Sequence, residues 1–228
     1  MMLRSPAEHL FRDRKIKRRL PNAVTIYVSP DSQLKYLRQK FDVDLAAMAD
    51  RFVTELSCVW DIGANCGTMA FSAAREKQIV AVEADPFLVG LLQKSVALNG
   101  VPVKILAAAA FSHASLAEFS IARRGRASNY LTSVGGRSQT GRERGRILVP
   151  TLPLDLLLDT FDPPTFIKID VEGAEVEVLK GAFRILREIR PVYYEAGTKT
   201  SDQCLADLAS ANYGVTQGSD MNWLAEPR

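Results

Sequence analysis

Apolar residues along this chain follow two periods. From residue 58 onward, short aliphatic runs alternate with longer segments in which apolar positions return every three or four residues. The runs predict strands at Val59–Ile62, Ile79–Glu83, Val103–Ala107, Phe166–Asp170 and Val192–Glu195. The periodic segments predict helices over 67–76, 86–98, 173–189 and 201–211. Such alternation points to a mostly parallel sheet with helices on both faces, a doubly wound α/β fold.

Upstream the pattern is different. Residues 1–20 read as a basic arm or a first helix, and Val24–Val28 alternates as a short strand that stops at Pro30. Leu34, Leu37, Phe41, Leu45, Met48, Phe52 and Val53 recur at helical spacing, which predicts a helical layer over the main domain. Residues 1–57 are therefore read as an N-terminal helical and strand extension, and 58–228 as one domain. Ser115–Ile121 and Ile147–Val149 read as shorter, irregular strands. Between them, 123–146 is rich in Gly, Arg, Ser and Thr, and a loop of that length in a compact domain is a functional lid or is disordered.

Composition narrows the class. No apolar stretch is long enough for a membrane span, and the basic start lacks the apolar core of a secretory signal. Cys58, Cys66 and Cys204 are too widely spaced for a disulfide framework or a zinc site, which predicts free thiols and a cytoplasmic protein. The net charge of +3 hides an asymmetry: seven basic residues lie in 1–20 and seven arginines in 123–146. Outside those segments 15 basic residues face 23 acidic ones, so an acidic body carries two basic appendages. Such appendages attract anions or serve as solvated surface.

In open α/β sheets, ligands bind beyond the carboxyl ends of the strands. After the first strand comes Asp61-Ile62-Gly63-Ala64-Asn65-Cys66-Gly67, leading straight into a helix. Its glycines permit close approach of a ligand to the main chain, and the helix start offers unpaired N–H groups. The spacing is G-x-x-x-G rather than the G-x-G-x-x-G of a pyrophosphate site, with Asn65 where the second glycine belongs, and there is no phosphate-binding P-loop. A ligand with an amino acid end and a ribose, lacking phosphates, suits Asp61 beside this loop. Glu83 closes the next strand, where a carboxylate accepts both ribose hydroxyls.

Three motifs together resemble the FkbM family of class I, Rossmann-like methyltransferases: Asp61-Ile-Gly-Ala-Asn-Cys-Gly67, Glu83-Ala-Asp-Pro86, and Ile167-Lys-Ile-Asp-Val-Glu-Gly-Ala-Glu175. The lead-in from Val24 to Tyr36 is also similar to that of bacterial members. The resemblance covers roughly residues 58–196 and implies S-adenosylmethionine as cofactor. It also implies methyl transfer to a hydroxyl oxygen of a sugar or natural product. Carried onto this chain, it gives the methionine end to the Gly63 loop, with Asn65 and Gly67. The ribose falls to Glu83, and the adenine to Ala84, Ala108 and Ala109. Alanines follow the third strand where many class I enzymes carry an acid.

Methyl transfer needs an aligned oxygen nucleophile, excluded water and, commonly, a base. His9 lies in the basic arm and His113 in a turn, so neither is expected to serve. That leaves carboxylates. Asp170 ends the fourth strand, Glu172 follows it, and Glu195 ends the fifth; these three are the expected catalytic residues. Glu175 is expected to complement a helix start instead. Such carboxylates could also bind a divalent cation, but no ligand pattern supports a metal. Cys66 is expected to pack, and Lys168 to pair with a carboxylate. Arg123, Arg124, Arg126, Ser128, Asn129 and Tyr130 are the expected acceptor contacts, since arginine forks suit phosphate or carboxylate and the neighbours suit sugars.

The expected partner is thus a small hydroxylated acceptor, with no nucleic acid; no oligomeric state is indicated. A nucleic-acid methyltransferase would draw on the basic segments. Base N-methylation, however, commonly carries Asn/Asp-Pro-Pro-aromatic after the fourth strand, where this chain has Asp170-Val-Glu-Gly. A non-catalytic subunit of a biosynthetic complex is the other alternative.

Overall fold

The computed structural model describes residues 11–74, 78–123, 125–135, 143–187, 191–195, 200–218 and 222–228. Strands β1 (Ile16–Arg19) and β2 (Thr25–Val28) form an antiparallel hairpin, so the basic start is extended here rather than helical. Its residues explain this. Ile26 and Val28 bury one face, while Lys17 and Arg19 alternate outward, a period of two. A 3₁₀ turn at Leu34–Leu37 and helix α1 (Val43–Phe52) follow. The expected helical layer is therefore broken: Leu34 and Leu37 remain about half exposed, and Asp42 takes a positive φ of 47° between the pieces.

The main sheet begins with β3 (Cys58–Ile62), α2 (Thr68–Ser72), β4 (Gln78–Glu83), α3 (Pro86–Asn99) and β5 (Val103–Ala107). Helix α3 starts where its sequence says it should: Asp85 accepts from the Phe87 N–H at 2.8 Å and Pro86 takes the first position. The chain then leaves the sheet through β6 (Ala109–Ala110), β7 (Ser115–Ala122), β8 (Tyr130–Leu131) and β9 (Glu143–Leu152). It returns as β10 (Phe166–Ile169), α4 (Glu175–Lys180), α5 (Phe183–Arg187), β11 (Val192–Glu195), α6 (Ser201–Ser210), β12 (Tyr213–Gln217) and β13 (Asn222–Pro227).

The seven strands run in the order β12-β13-β11-β10-β3-β4-β5. The five from β5 to β11 are parallel, and β13 is antiparallel to both its neighbours. The order reverses between β3 and β10, so the crevice above those two strand ends is where this topology seats a ligand. One face, with Trp60, Val80, Ile167 and Tyr194, packs under α4, α5 and α6. The other, with Val59, Ile79 and Phe166, packs under α2 and α3 together with Ile26 and Val28 of the hairpin. Phe52 of α1 stacks on Phe166, ring centres 5.3 Å apart.

Three further departures have physical causes. The helix expected over 173–189 is divided at Gly181, because the main chain there runs against the Phe111 carbonyl; a Cβ would lie 2.3 Å from that oxygen. Strands β12 and β13 lack a long apolar run, and half of β12 is exposed. The expected loop over 123–146 largely consists of a 3₁₀ turn at Arg126–Ser128, β8 and the start of β9, with 136–142 outside the described residues. Arginines hid that strand: Arg146 pairs with Ser120 in the ladder, Arg144 falls at the bulge beside it, and both are partnered by acids. Strands β6-β9-β7-β8 form a second sheet, whose inner residues Phe119, Ile121, Leu131 and Val149 pack on Ala109 and Ala174.

Candidate functional site

The glycine loop is fixed from below. Asp61 is fully buried, and its Oδ2 accepts the Ala70 N–H of α2 at 3.0 Å. Lys168, on the neighbouring strand in register with Asp61, lies 3.1 Å from Oδ1 and donates to the Gly63 carbonyl at 2.6 Å. Burial alone would lower the pKa of Lys168, but Asp61 and Asp170 hold it above its ordinary value, so the ammonium keeps its charge. The Gly63 and Ala64 N–H groups both donate to the Val82 carbonyl. Gly63 has φ +70°, and a Cβ there would stand 1.8 Å from the Asp170 carbonyl oxygen. Only glycine lets the two strand-end loops meet this closely.

Glu83 is buried at the end of β4. One carboxylate oxygen accepts the Asn65 N–H at 2.7 Å and the other the Asp85 N–H at 2.8 Å. Burial pushes its pKa up to about 7, against the pull of those two bonds. Asn65 has φ +53°, which turns its N–H toward Glu83, and its side-chain oxygen accepts from Ser32 Oγ at 2.7 Å. Ser32 belongs to the N-terminal extension, a contribution that no local pattern in the sequence announced.

Above these groups lies a pocket that spans about 570 Å³ of space, part of it open to solvent. It brings together ten expected site residues: Gly63, Asn65, Glu83, Ala84, Ala108, Ala109, Arg126, Asn129, Asp170 and Glu172. Leu88, Phe119 and Leu131 add apolar lining beside Asp170, Val171 and Glu172, and Val171 packs against the cluster that holds Phe119 and Leu131. Glu172 (φ +54°) and Gly173 (φ +109°) make a tight turn there. Its N–H at Gly173 donates to the buried Glu175 at 3.0 Å, so Glu175 closes the turn from inside.

The other expected residues stand elsewhere. Asp61 and Gly67 lie beneath the pocket, Gly67 against Phe71 and Leu92. Glu195 ends β11, two strands from β3, and does not line the pocket. Arg123 is exposed, Ser128 and Tyr130 are half-buried, and all three lie off its wall. Arg124 and His9 lie outside the described residues. His113 is exposed and contacts Ser112, while Cys66 is fully buried, with its thiol pushed up to about 12 by burial.

Charge is concentrated at the rim. Arg126 donates through Nε to Asp31 (3.0 Å), through one terminal nitrogen to both oxygens of Asp85 (2.7 and 3.0 Å), and through the other to Asp13 (3.0 Å). Its guanidinium lies 4.3 Å from the centre of the Phe87 ring. Its fork, expected to read an acceptor, is thus engaged by three carboxylates of the chain itself. Arg144 binds both oxygens of Asp31 at 3.0 Å. Burial would raise the pKa of Asp31, but Arg144 and Arg126 hold it below the ordinary carboxylate value. Asn129 donates to Asp85 at 2.8 Å and accepts the Ala122 N–H at 2.8 Å.

Among the described residues no group of three or more His, Cys, Asp or Glu is arranged to hold a metal ion, and no helix is long and apolar enough to cross a membrane. A family profile described as the methyltransferase FkbM domain matches residues 61–215. A search of curated proteins found no match.

Solved structures share the fold at low identity. A methyltransferase FkbM from Methylobacillus flagellatus KT is 19% identical, with a TM-score of 0.53 over 75% of this chain and 44% of that one. A 16S rRNA methyltransferase from T. thermophilus, solved with AdoMet and guanosine, is 15% identical, with a TM-score of 0.55 over 94% of this chain and 50% of its own. A precorrin-6y C5,15-methyltransferase from Geobacter metallireducens is 16% identical, with a TM-score of 0.52 over 85% and 92% of the two chains. The chain thus spans less than half the length of the first of these and half of the second.

Proposed function

The chain belongs to the FkbM methyltransferase family, on a class I Rossmann-like fold, and from that premise we propose that it moves the methyl group of S-adenosylmethionine to a hydroxyl oxygen of a small sugar or natural-product acceptor. The observation that carries the cofactor reading is Glu83: a buried carboxylate aimed into the pocket beside a main-chain cradle that no side chain could share. The donor set fits the group. Gly63 and Asn65 hold the methionine end, with Asp61 and Gly67 shaping their loop from below. Glu83 accepts the ribose hydroxyls. Ala84, Ala108, Ala109, Phe119 and Leu131 enclose an apolar base. We take 58–228 as the cofactor-binding domain and 1–57 as a covering segment.

When bound, S-adenosylmethionine supplies a methyl group made electrophilic by its sulfonium. The protein's task is then alignment and proton removal. Asp170 and Glu172 line the pocket, and to them falls the acceptor: a carboxylate oxygen orients its hydroxyl and takes its proton. Glu195, on the neighbouring strand end, orients the acceptor from outside the wall. Arg123, Ser128 and Tyr130 are given the distal part of the acceptor. Three buried, widely spaced cysteines support a reducing, cytoplasmic setting.

A second reading, methylation of a nucleic acid, is favoured by the exposed Arg12, Arg14, Lys15, Lys17 and Arg19 around the hairpin. It predicts salt-dependent retention of RNA or DNA.

Calorimetry with S-adenosylhomocysteine, NADH and the Glu83→Ala variant tests the cofactor reading. Micromolar binding of the first alone, lost in the variant, supports it; preference for NADH overturns it. Radiolabelled methyl transfer to a panel of hydroxylated acceptors tests the reaction. Asp170→Asn and Glu172→Gln should lose activity at least tenfold while keeping cofactor affinity. Full activity in both would remove these carboxylates from the chemistry.

A further inference from the structure

Asp85 is the residue on which the rim of the pocket converges. Its main-chain N–H binds one oxygen of Glu83 at 2.8 Å. Its side chain takes Arg126 on both oxygens, Asn129 at 2.8 Å, and the Phe87 N–H at 2.8 Å. Fixing that side chain fixes the N–H that meets Glu83. Arg126, in turn, joins three separate stretches of chain: Asp13 and Asp31 before the sheet, Asp85 after β4, and its own 3₁₀ turn after β7. The main chains follow the same path, since the Arg126 N–H donates to the Asp31 carbonyl at 3.1 Å.

We propose that Arg126 is a positioning residue of the cofactor site, acting through Asp85 on the ribose-binding carboxylate of Glu83 and tying the N-terminal extension to the same point. This rests on the reading that Glu83 holds the ribose. Its physical basis is charge as well as geometry. Glu83 faces Asp85 from the turn after β4, Lys168 from β10, the Cys66 thiol, and the pocket groups Asp170, Glu172 and Arg126. Asp85 is the negative neighbour bonded to it, and the Arg126 guanidinium, with a side chain 13% exposed, neutralises that charge at contact distance. Without Arg126, the bare Asp85 charge disfavours the ionised Glu83 that two hydroxyls require.

The test is a titration of the full-length chain with S-adenosylhomocysteine at pH 6, 7 and 8.5, on wild type, Arg126→Gln, Arg126→Lys, Asp85→Asn and the Arg126→Gln/Asp85→Asn pair. Removal of the arginine charge should weaken binding about ninefold at pH 6 and about fivefold at pH 7, from a shift of about one pH unit in the rise of affinity. The loss should shrink toward pH 8.5. Arg126→Lys should recover part of it. Asp85→Asn should move the rise to lower pH, and the pair should return toward wild type. A loss of equal size at every pH, or no loss, overturns the proposal, because a merely structural arginine would weaken binding without moving the pH profile. If thermal melting shows Arg126→Gln unfolded, Asp85→Asn decides alone, and an unmoved profile overturns the proposal. Failure of the wild type to bind overturns the cofactor reading itself, and this inference with it.

Discussion

The floor and the wall of the pocket come from two sheets that are held together differently. The floor, at the ends of β3, β4 and β10, rests on buried charge: Lys168 sits between Asp61 and the Gly63 carbonyl. The wall, from β7 and β8, rests on apolar packing of Phe119, Ile121 and Leu131, with the buried Ser120 hydroxyl bonded to Thr132 and Glu143. A buried ion pair costs desolvation that its own attraction only partly returns, so its value lies in placing a carbonyl and a loop at one position. Apolar packing tolerates small shifts. On the proposed cofactor site, the rigid side would meet the methionine end and ribose, and the softer side a flat base.

The largest test of this contrast is Lys168→Ala. It leaves Asp61 buried without its cation and should cost about 3–5 kcal/mol, roughly 10 °C of melting temperature. Differential scanning calorimetry that found a loss under 1 kcal/mol would remove the ion pair as the floor's support. Replacing both partners by apolar residues, Lys168→Met with Asp61→Leu, should recover stability but not cofactor affinity.

Next in size is Phe119→Ala on the wall, expected to cost about 3 kcal/mol, the low end for a buried aromatic because the pocket already lies beside it. Chemical denaturation measures it, and cofactor affinity should fall less than with Glu83→Ala. An equal fall would mean the wall is as exacting as the floor.

Glu83 gives the third test. Its folded pKa of about 7 stands above the ordinary 4.5, so the empty protein loses stability as pH rises from 4.5 through 7. Affinity for S-adenosylhomocysteine runs the other way, rising about tenfold over pH 6 to 8 as the carboxylate ionises. Glu83→Gln should flatten both curves; melting scans and titrations that kept their slope in this variant would assign them to another group. Smallest is Leu148→Ser on the outer face of β9, where the side chain is 70% exposed. It should shift stability by under about 0.5 kcal/mol. A larger loss on dilution would show that another surface covers that face.

The same contrast explains what the sequence disclosed. The central strands were legible because strands buried on both faces need continuous apolar runs. The Asp61–Gly67 loop and Glu83 were legible because a strand-end glycine turn is a local property. The second sheet was not, since Arg144 and Arg146 disguise β9 and two-residue strands such as β8 leave no period to read. Asp31 and Ser32 were invisible as site residues for another reason. They reach the pocket through tertiary contacts with Arg126 and Asn65, which lie 95 and 33 residues away.

The meeting of Gly63 with Asp170 has one more consequence. The loop proposed to cradle the donor and the loop proposed to carry the base touch through main-chain atoms, and the Asp170 N–H also donates to the Ile62 carbonyl at 3.0 Å. Their separation is set by main-chain packing and a main-chain hydrogen bond, like the fixed jaw gap of a gauge, and no choice of rotamer can widen or narrow it. Side chains around the rim can therefore vary while the spacing of these two loops stays the same.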